Sequence, residues 1–318
     1  MKRLIAFAAI AAIVASCSDD NPAATPDEAL ITPPIYTEVE NGGGQTLLTG
    51  ILTIAPCEAG SSIYYGNYIN GMRTPVHAYY HIQNGIFDEQ PYTTELSLPT
   101  GLYNLIYWGT SQVTDSAYYS NPIQEPAFSI GRDMSLQSYG LRQMPADTLY
   151  YPAYDMLHAV QPADIGTEVL SASLQRVVAG LQVIVKSQDG EALNPGIDSI
   201  AVRITNIYSQ LNYYTGQPQG NACTVSFPLT LSADGMQMSN ETAMLFPSAG
   251  LPVFQLSVIL KNGTVQTFQQ TLSAPLVANT KLTLMLSMGD IFSEESSGNF
   301  TVENWNEESQ EINIPTLG

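Results

Sequence analysis

The sequence predicts an all-β protein, two tandem β-sandwiches behind an N-terminal tether, and three observations predict it. Short runs of β-forming residues alternate with turn signals along nearly the whole length. The 20 prolines and 24 glycines fall at spacings that would break long helices. The 318 residues suffice for two units of roughly 150 residues each. With 44% hydrophobic and 12% charged residues, the composition is that of folded domains and not of a disordered chain.

Residues 1–16 read as a secretory leader. Lys2 and Arg3 form its basic start, residues 4–14 its apolar core, and Ala15 and Ser16 the small pair ahead of Cys17. The core is shorter than the ~20 apolar residues of a spanning helix. Val14-Ala15-Ser16-Cys17 resembles the bacterial lipobox. The resemblance implies cleavage between Ser16 and Cys17, after the Cys17 thiol has taken a diacylglyceryl group as a stable thioether. Two or three acyl chains at ~0.8 kcal/mol per buried methylene hold far better than one. Asp19 and Asp20 resemble the export signal that carries lipoproteins of Bacteroidia to the outer face of the outer membrane.

Residues 17–45 are read as the lipidated tether. They hold Pro22, Pro26, Pro33, Pro34, several acids and Gly42-Gly43-Gly44, with no evident apolar period. As a flexible coil the segment reaches ~30 Å, and ~95 Å fully extended. An N-terminal unit, 46–165, follows. Residues 46–56, TLLTGILTIAP, are its candidate first strand. In 75–83, Val76, Ala78, Tyr80 and Ile82 share one face and His77, Tyr79, His81 and Gln83 the other. Asn84-Gly85 then predicts a hairpin. A strand over 101–109 opens at the turn Pro99-Thr100-Gly101, and 146–160 reads as the closing strand.

The boundary is placed in 160–168, VQPADIGTE, and the C-terminal unit spans 166–318. It opens with 169–190, where Val177, Ala179, Leu181, Val183 and Val185 give the strongest period-2 run of the chain. Arg176 is either a solvated edge charge or the partner of a carboxylate. The clearest hairpin is 253–272, with Asn262-Gly263 at its tip.

In their order, these motifs resemble the anchor-type relatives of the fimbrillins, pilus proteins of Bacteroidia. The resemblance rests on the lipobox at Cys17, on LPTGLYNLIYW at 98–108, on LQRVVAGLQVIV at 174–185, and on VENWNEESQEINIP at 302–315. It implies sandwiches of transthyretin-like topology and a structural lipoprotein that anchors, or is an accessory subunit of, a pilus at the outer membrane. Its partners would be fimbrillin subunits, joined by β-strand addition. In such pili an arginine-cutting protease trims the first strand of stalk subunits. Between Arg3 and Arg73 this chain has no arginine or lysine, so an untrimmed first strand is expected, as in an anchor. At the other end Ile312 and Ile314 share a face of a candidate donor strand. The alternative is that this strand completes its own sandwich.

The remaining chemistry is sparse. A net charge of -19 opposes nucleic acid as a partner. His77 and His81 on a strand would stand ~13 Å apart, too far to share a metal ion, and His158 has no ligand set at metal spacing. No cofactor or catalytic motif is found, and the protein is read as no enzyme. Cys57 and Cys223 are expected to be two separate buried thiols. The 18 tyrosines suit core or rim packing. They also carry the alternative function, a surface lipoprotein that binds carbohydrate.

Overall fold

The computed structural model describes residues 29–41, 44–88, 92–110, 122–289 and 302–311. The described chain is all-β. In the first half the strands are β1 (Leu30–Ile31), β2 (Ile35–Asn41), β3 (Gly44–Leu47), β4 (Gly50–Glu58), β5 (Asn67–Ile69), β6 (Met72–Thr74), β7 (Ala78–Gln83) and β8 (Ile86–Asp88). There follow β9 (Leu98–Pro99), β10 (Gly101–Thr110), β11 (Ile123–Gln124), β12 (Ser138–Leu141), β13 (Met156–Ile165) and β14 (Leu170–Arg176). The second half adds β15 (Ala179–Ser187), β16 (Ile197–Asn212), β17 (Pro218–Leu231), β18 (Gln237–Ser239) and β19 (Ala243–Leu245). It ends with β20 (Val253–Leu260), β21 (Val265–Thr271), β22 (Thr280–Met288) and β23 (Val302–Glu311). One short 3-10 turn, Met134–Leu136, is the single helical element among the described residues.

The first large sheet has the order β3-β2-β14-β13-β10-β4-β7-β8. It folds over a core that includes Leu52, Ile54, Ala78, Leu105, Leu157 and Leu174. The β7–β8 turn meets the β3–β4 corner: Gly85 N–H donates to the Leu48 carbonyl at 2.8 Å, and Asn84 N–H to Thr49 Oγ1 at 2.9 Å. That turn is the expected Asn-Gly hairpin, with φ of 51° at Asn84 and 72° at Gly85. Within β7 the alternation is as expected for Ala78, Tyr80 and Ile82, which are buried; Val76 lies before the strand and is exposed.

The second sheet runs β11-β12-β16-β17-β18-β15-β22-β23, with β19 on β15, β20 on β16 and β21 on β20. The β20–β21 hairpin keeps an unbroken register from Val253↔Thr271 to Ile259↔Val265. Its core includes Leu181, Val183, Ile204, Phe254, Leu256 and Leu284, and it extends into the first half through Ala55, Ile106 and Trp108.

Three sequence expectations are corrected. Residues 30–41 are not tether: β1 pairs β9, and β2 pairs β14 in parallel and β3 antiparallel. Ile35, Thr37 and Val39 are buried and Tyr36 is exposed. Threonine at the middle inward position and an outward Tyr36 hide this period in the sequence. The first long strand is therefore β2, ahead of the 46–56 segment, which breaks at residues 48–49 into β3 and β4.

Secondly, the strand expected over 146–160 begins at Met156 and continues to Ile165. Pro162 is tolerated because β13 pairs β14 only at Leu157 and His158, so its missing N–H interrupts no ladder there. Thirdly, the run opening at 169 is two strands in two sheets: β14 belongs to the first and β15 to the second. Ala179, Leu181, Val183 and Val185 are fully buried as expected, while Val177 lies in the link and is half-buried. The sheet change thus follows Arg176, later than the turn at 166–168, and β12 of the first half pairs β16 of the second.

Candidate functional site

Four residues carry the anchoring and assembly expectations: Ser16, Cys17, Ile312 and Ile314. All four lie outside the described residues. The structure does describe how the chain enters and leaves the folded body. It enters through β1 and Pro33-Pro34 into β2, which has a hydrogen-bonded neighbour on each side. It leaves through β23, which pairs β22 from Thr280↔Glu311 to Met288↔Val302.

Between these ends, besides the β12–β16 pairing, two side-chain clusters join the halves. Arg176, 3% exposed, forms a two-pronged ion pair with Asp155: Nε to Oδ1 at 2.7 Å and Nη2 to Oδ2 at 3.3 Å. Its Nη1 donates to Asn279 Oδ1 at 3.0 Å. Arg176 ends β14, Asp155 precedes β13 and Asn279 precedes β22, so one guanidinium ties the point where the chain changes sheets. This answers the question the sequence left open for Arg176: it partners a carboxylate.

The second junction is aromatic. Trp108 of β10 lies 4.8 Å from Tyr139, 5.7 Å from Tyr213 and 4.7 Å from His158 between ring centroids. Its indole N–H donates to the Tyr213 carbonyl at 2.9 Å. Burial lowers the His158 pKa to about 4, against a hydrogen bond with the Tyr214 main chain that raises it. A side chain at Gly216, where φ is 69°, would begin 2.7 Å from His158 Nδ1, so glycine is required for this approach. Sequence reasoning missed this cluster because its members come from strands far apart in the chain. The buried tyrosines Tyr64, Tyr107 and Tyr213 are core filler, as expected for most of the tyrosines.

Cys57 and Cys223 are free, the first buried and the second half-buried. Burial raises both thiols to about 12, with Asp133 and Glu58 adding to the rise at Cys57, so both stay protonated at neutral pH. His77 packs on Phe128 and His81 on Tyr79. No group of three metal-binding side chains occurs among the described residues. A cavity of about 740 Å³ opens beside Pro33-Pro34, with Tyr68, Tyr80 and Phe87 on its walls. Tyr80 Oη accepts from Leu96 N–H at 2.6 Å, and Asn67 holds the Glu95 carbonyl and Ser97 N–H at 2.9 and 2.8 Å.

The model of the fimbrillin-A associated anchor proteins Mfa1 and Mfa2 matches residues 25–311. The chain belongs to that family. It is a family of structural fimbrial anchor proteins and not of enzymes. The fold of this Mfa1/Mfa2-family chain is similar to that of the fimbrial anchor protein Mfa2 from Porphyromonas gingivalis. That match has 11% identity, covers 87% of this chain and 97% of the other, and has a TM-score of 0.52. A cell adhesion candidate from Bacteroides uniformis matches at 14% identity over 87% and 96% of the two chains, with a TM-score of 0.47. A polysaccharide-binding candidate from Bacteroides thetaiotaomicron matches at 11% identity over 89% and 98%, with a TM-score of 0.48. No curated protein matches the chain.

Proposed function

We propose that this member of the anchor family is the anchor or an accessory subunit of a fimbrillin-type pilus. In this reading acyl chains on Cys17 hold it to the outer membrane, exposed at the surface, and it joins pilus subunits by β-strand addition. The folded body acts as two tandem transthyretin-like sandwiches, and the C-terminal segment with Ile312 and Ile314 is the candidate donor. The observation that carries the reading is the place of β2. The first long strand sits between β14 and β3 and buries Ile35, Thr37 and Val39. Removing it would leave a groove in the first sheet, and no arginine or lysine stands between Arg3 and Arg73 to allow an arginine protease to do so. An amino end that stays paired also keeps whatever is attached to it, which is what an anchor needs.

Membrane partition and pilin capture test the reading. Wild type is expected in the membrane fraction and Cys17→Ala in the soluble one; membrane-bound Cys17→Ala would remove the lipid from the account. Deleting residues 310–318 is expected to weaken retention of fimbrillin, and unchanged retention would remove the donor strand. Carbohydrate binding is the second reading, favoured by the aromatic-walled cavity beside Pro33-Pro34. It predicts a glycan-dependent fluorescence change that Phe87→Ala abolishes.

A further inference from the structure

Asparagine followed by glycine can modify itself. The glycine main-chain nitrogen attacks the asparagine side-chain carbonyl, because no side chain on glycine hinders the approach. The chain has four such pairs, and three lie wholly within the described residues: Asn70-Gly71, Asn84-Gly85 and Asn262-Gly263. The attack needs a glycine N–H released from any main-chain acceptor and an asparagine amide free to swing toward it. The three pairs differ in both respects.

At the β7–β8 turn, Gly85 N–H donates to the Leu48 carbonyl at 2.8 Å, and Thr49 Oγ1 donates to Asn84 Oδ1 at 3.4 Å. At the β20–β21 turn, Gly263 N–H donates to the Leu260 carbonyl at 2.8 Å, and Thr264 N–H donates to Asn262 Oδ1 at 2.9 Å. Both turns belong to the large sheets. The β5–β6 turn has neither brake. Among the described residues, no hydrogen bond holds the Gly71 N–H or the Asn70 side chain. Both residues are exposed, and a Cβ built at Gly71 would meet nothing within 4 Å. The ribbon that ends in this turn has three residue pairs and, among the described residues, joins no other strand. A lone two-stranded ribbon of that size opens readily.

We propose that Asn70 is a self-modification site, the fast one of these three pairs. The Gly71 nitrogen gives up its proton and bonds to Asn70 Cγ, closing a succinimide. The side-chain nitrogen leaves as ammonia with that proton. Water then adds to one imide carbonyl and breaks its C–N bond, giving aspartate or isoaspartate; nothing is oxidised or reduced. Aspartate keeps the turn, since Asp-Gly also suits positive φ at both central positions, and φ here is 52° at Asn70 and 75° at Gly71. It adds a carboxylate to the cavity wall that already includes Glu95. Isoaspartate instead inserts a main-chain atom into a two-residue turn, so the Ile69↔Met72 register cannot hold. Either product remakes the ribbon side of the cavity as the protein ages.

Ageing the full mature chain at physiological temperature and pH, with peptide mass spectrometry at intervals, tests this. Residues 70–71 should convert first, and 84–85 and 262–263 roughly 10-fold slower or more, since two hydrogen bonds must break at each. In concentrated urea the three rates should converge. No conversion at 70–71, or equal rates in the folded chain, overturns the proposal. An order that persists in urea does so too, since the flanking residues and not the fold would then set it. The isoaspartyl form, separated by chromatography, should show faster amide exchange across 67–74; unchanged exchange there overturns the opening of the ribbon.

Discussion

Strands β2 and β21 are both seven residues long, yet the fold treats them in opposite ways. β2 stands inside the first sheet with a partner on each side, and Ile35 and Val39 are buried. Among the described residues β21 pairs β20 alone, and Val265 is largely exposed. The difference teaches that length alone does not set how firmly a strand is held. The strand nearest the expected lipid is held from both sides, while β21 has a single strand neighbour among the described residues. The two sheets are linked by the Arg176–Asp155 pair and the Trp108 cluster.

The largest effect should come from breaking that link. Arg176→Ala removes the ion-pair partner of the buried Asp155 carboxylate, and about 3–5 kcal/mol of stability should be lost in chemical denaturation. The double variant Arg176→Met, Asp155→Leu should recover most of it, because neither charge of the pair is then buried. A loss below about 1 kcal/mol for Arg176→Ala would mean the pair does not hold the sheets together.

The comparison itself is sharpened by truncating one side chain in each strand. Ile35→Ala should cost about 2–5 kcal/mol and Val265→Ala no more than about 0.5 kcal/mol. Equal costs would show that β21 is as enclosed as β2, and the contrast would fail.

A smaller effect, set by pH, probes the junction. Burial holds His158 at about 4 against its ordinary 6.5, so between these values the unfolded chain binds the extra proton. Stability is therefore full above pH 6.5 and falls as pH drops toward 4, by about 3 kcal/mol in all and about 2 kcal/mol by pH 5. His77, also lowered by burial, adds to the same slope. In His158→Gln the loss between pH 7.5 and 5, followed by urea denaturation, should shrink by about 2 kcal/mol. An unchanged slope would show that His158 titrates freely.

The hairpins were readable from sequence because Asn84-Gly85 and Asn262-Gly263 fix the turn and alternation fixes the face. The β15 core positions were readable for the same reason. β2 was not, since Thr37 takes an inward position that an apolar scan passes over, and Pro33-Pro34 beside it signals irregular chain. The split between β14 and β15 was hidden because both strands alternate; what separates them is a tertiary ion pair at Arg176, which no local pattern shows. The place of β21 in the sheet was hidden too, because a strand's neighbours are a property of the whole sheet, although its lack of charge was visible in the letters.

Mass spectrometry of the mature amino terminus, on protein taken from membranes, tests the central claim most directly. The account predicts a chain that begins at acylated Cys17 and continues unbroken through Ile35–Asn41. A chain beginning beyond residue 41, with no acyl group, would contradict it.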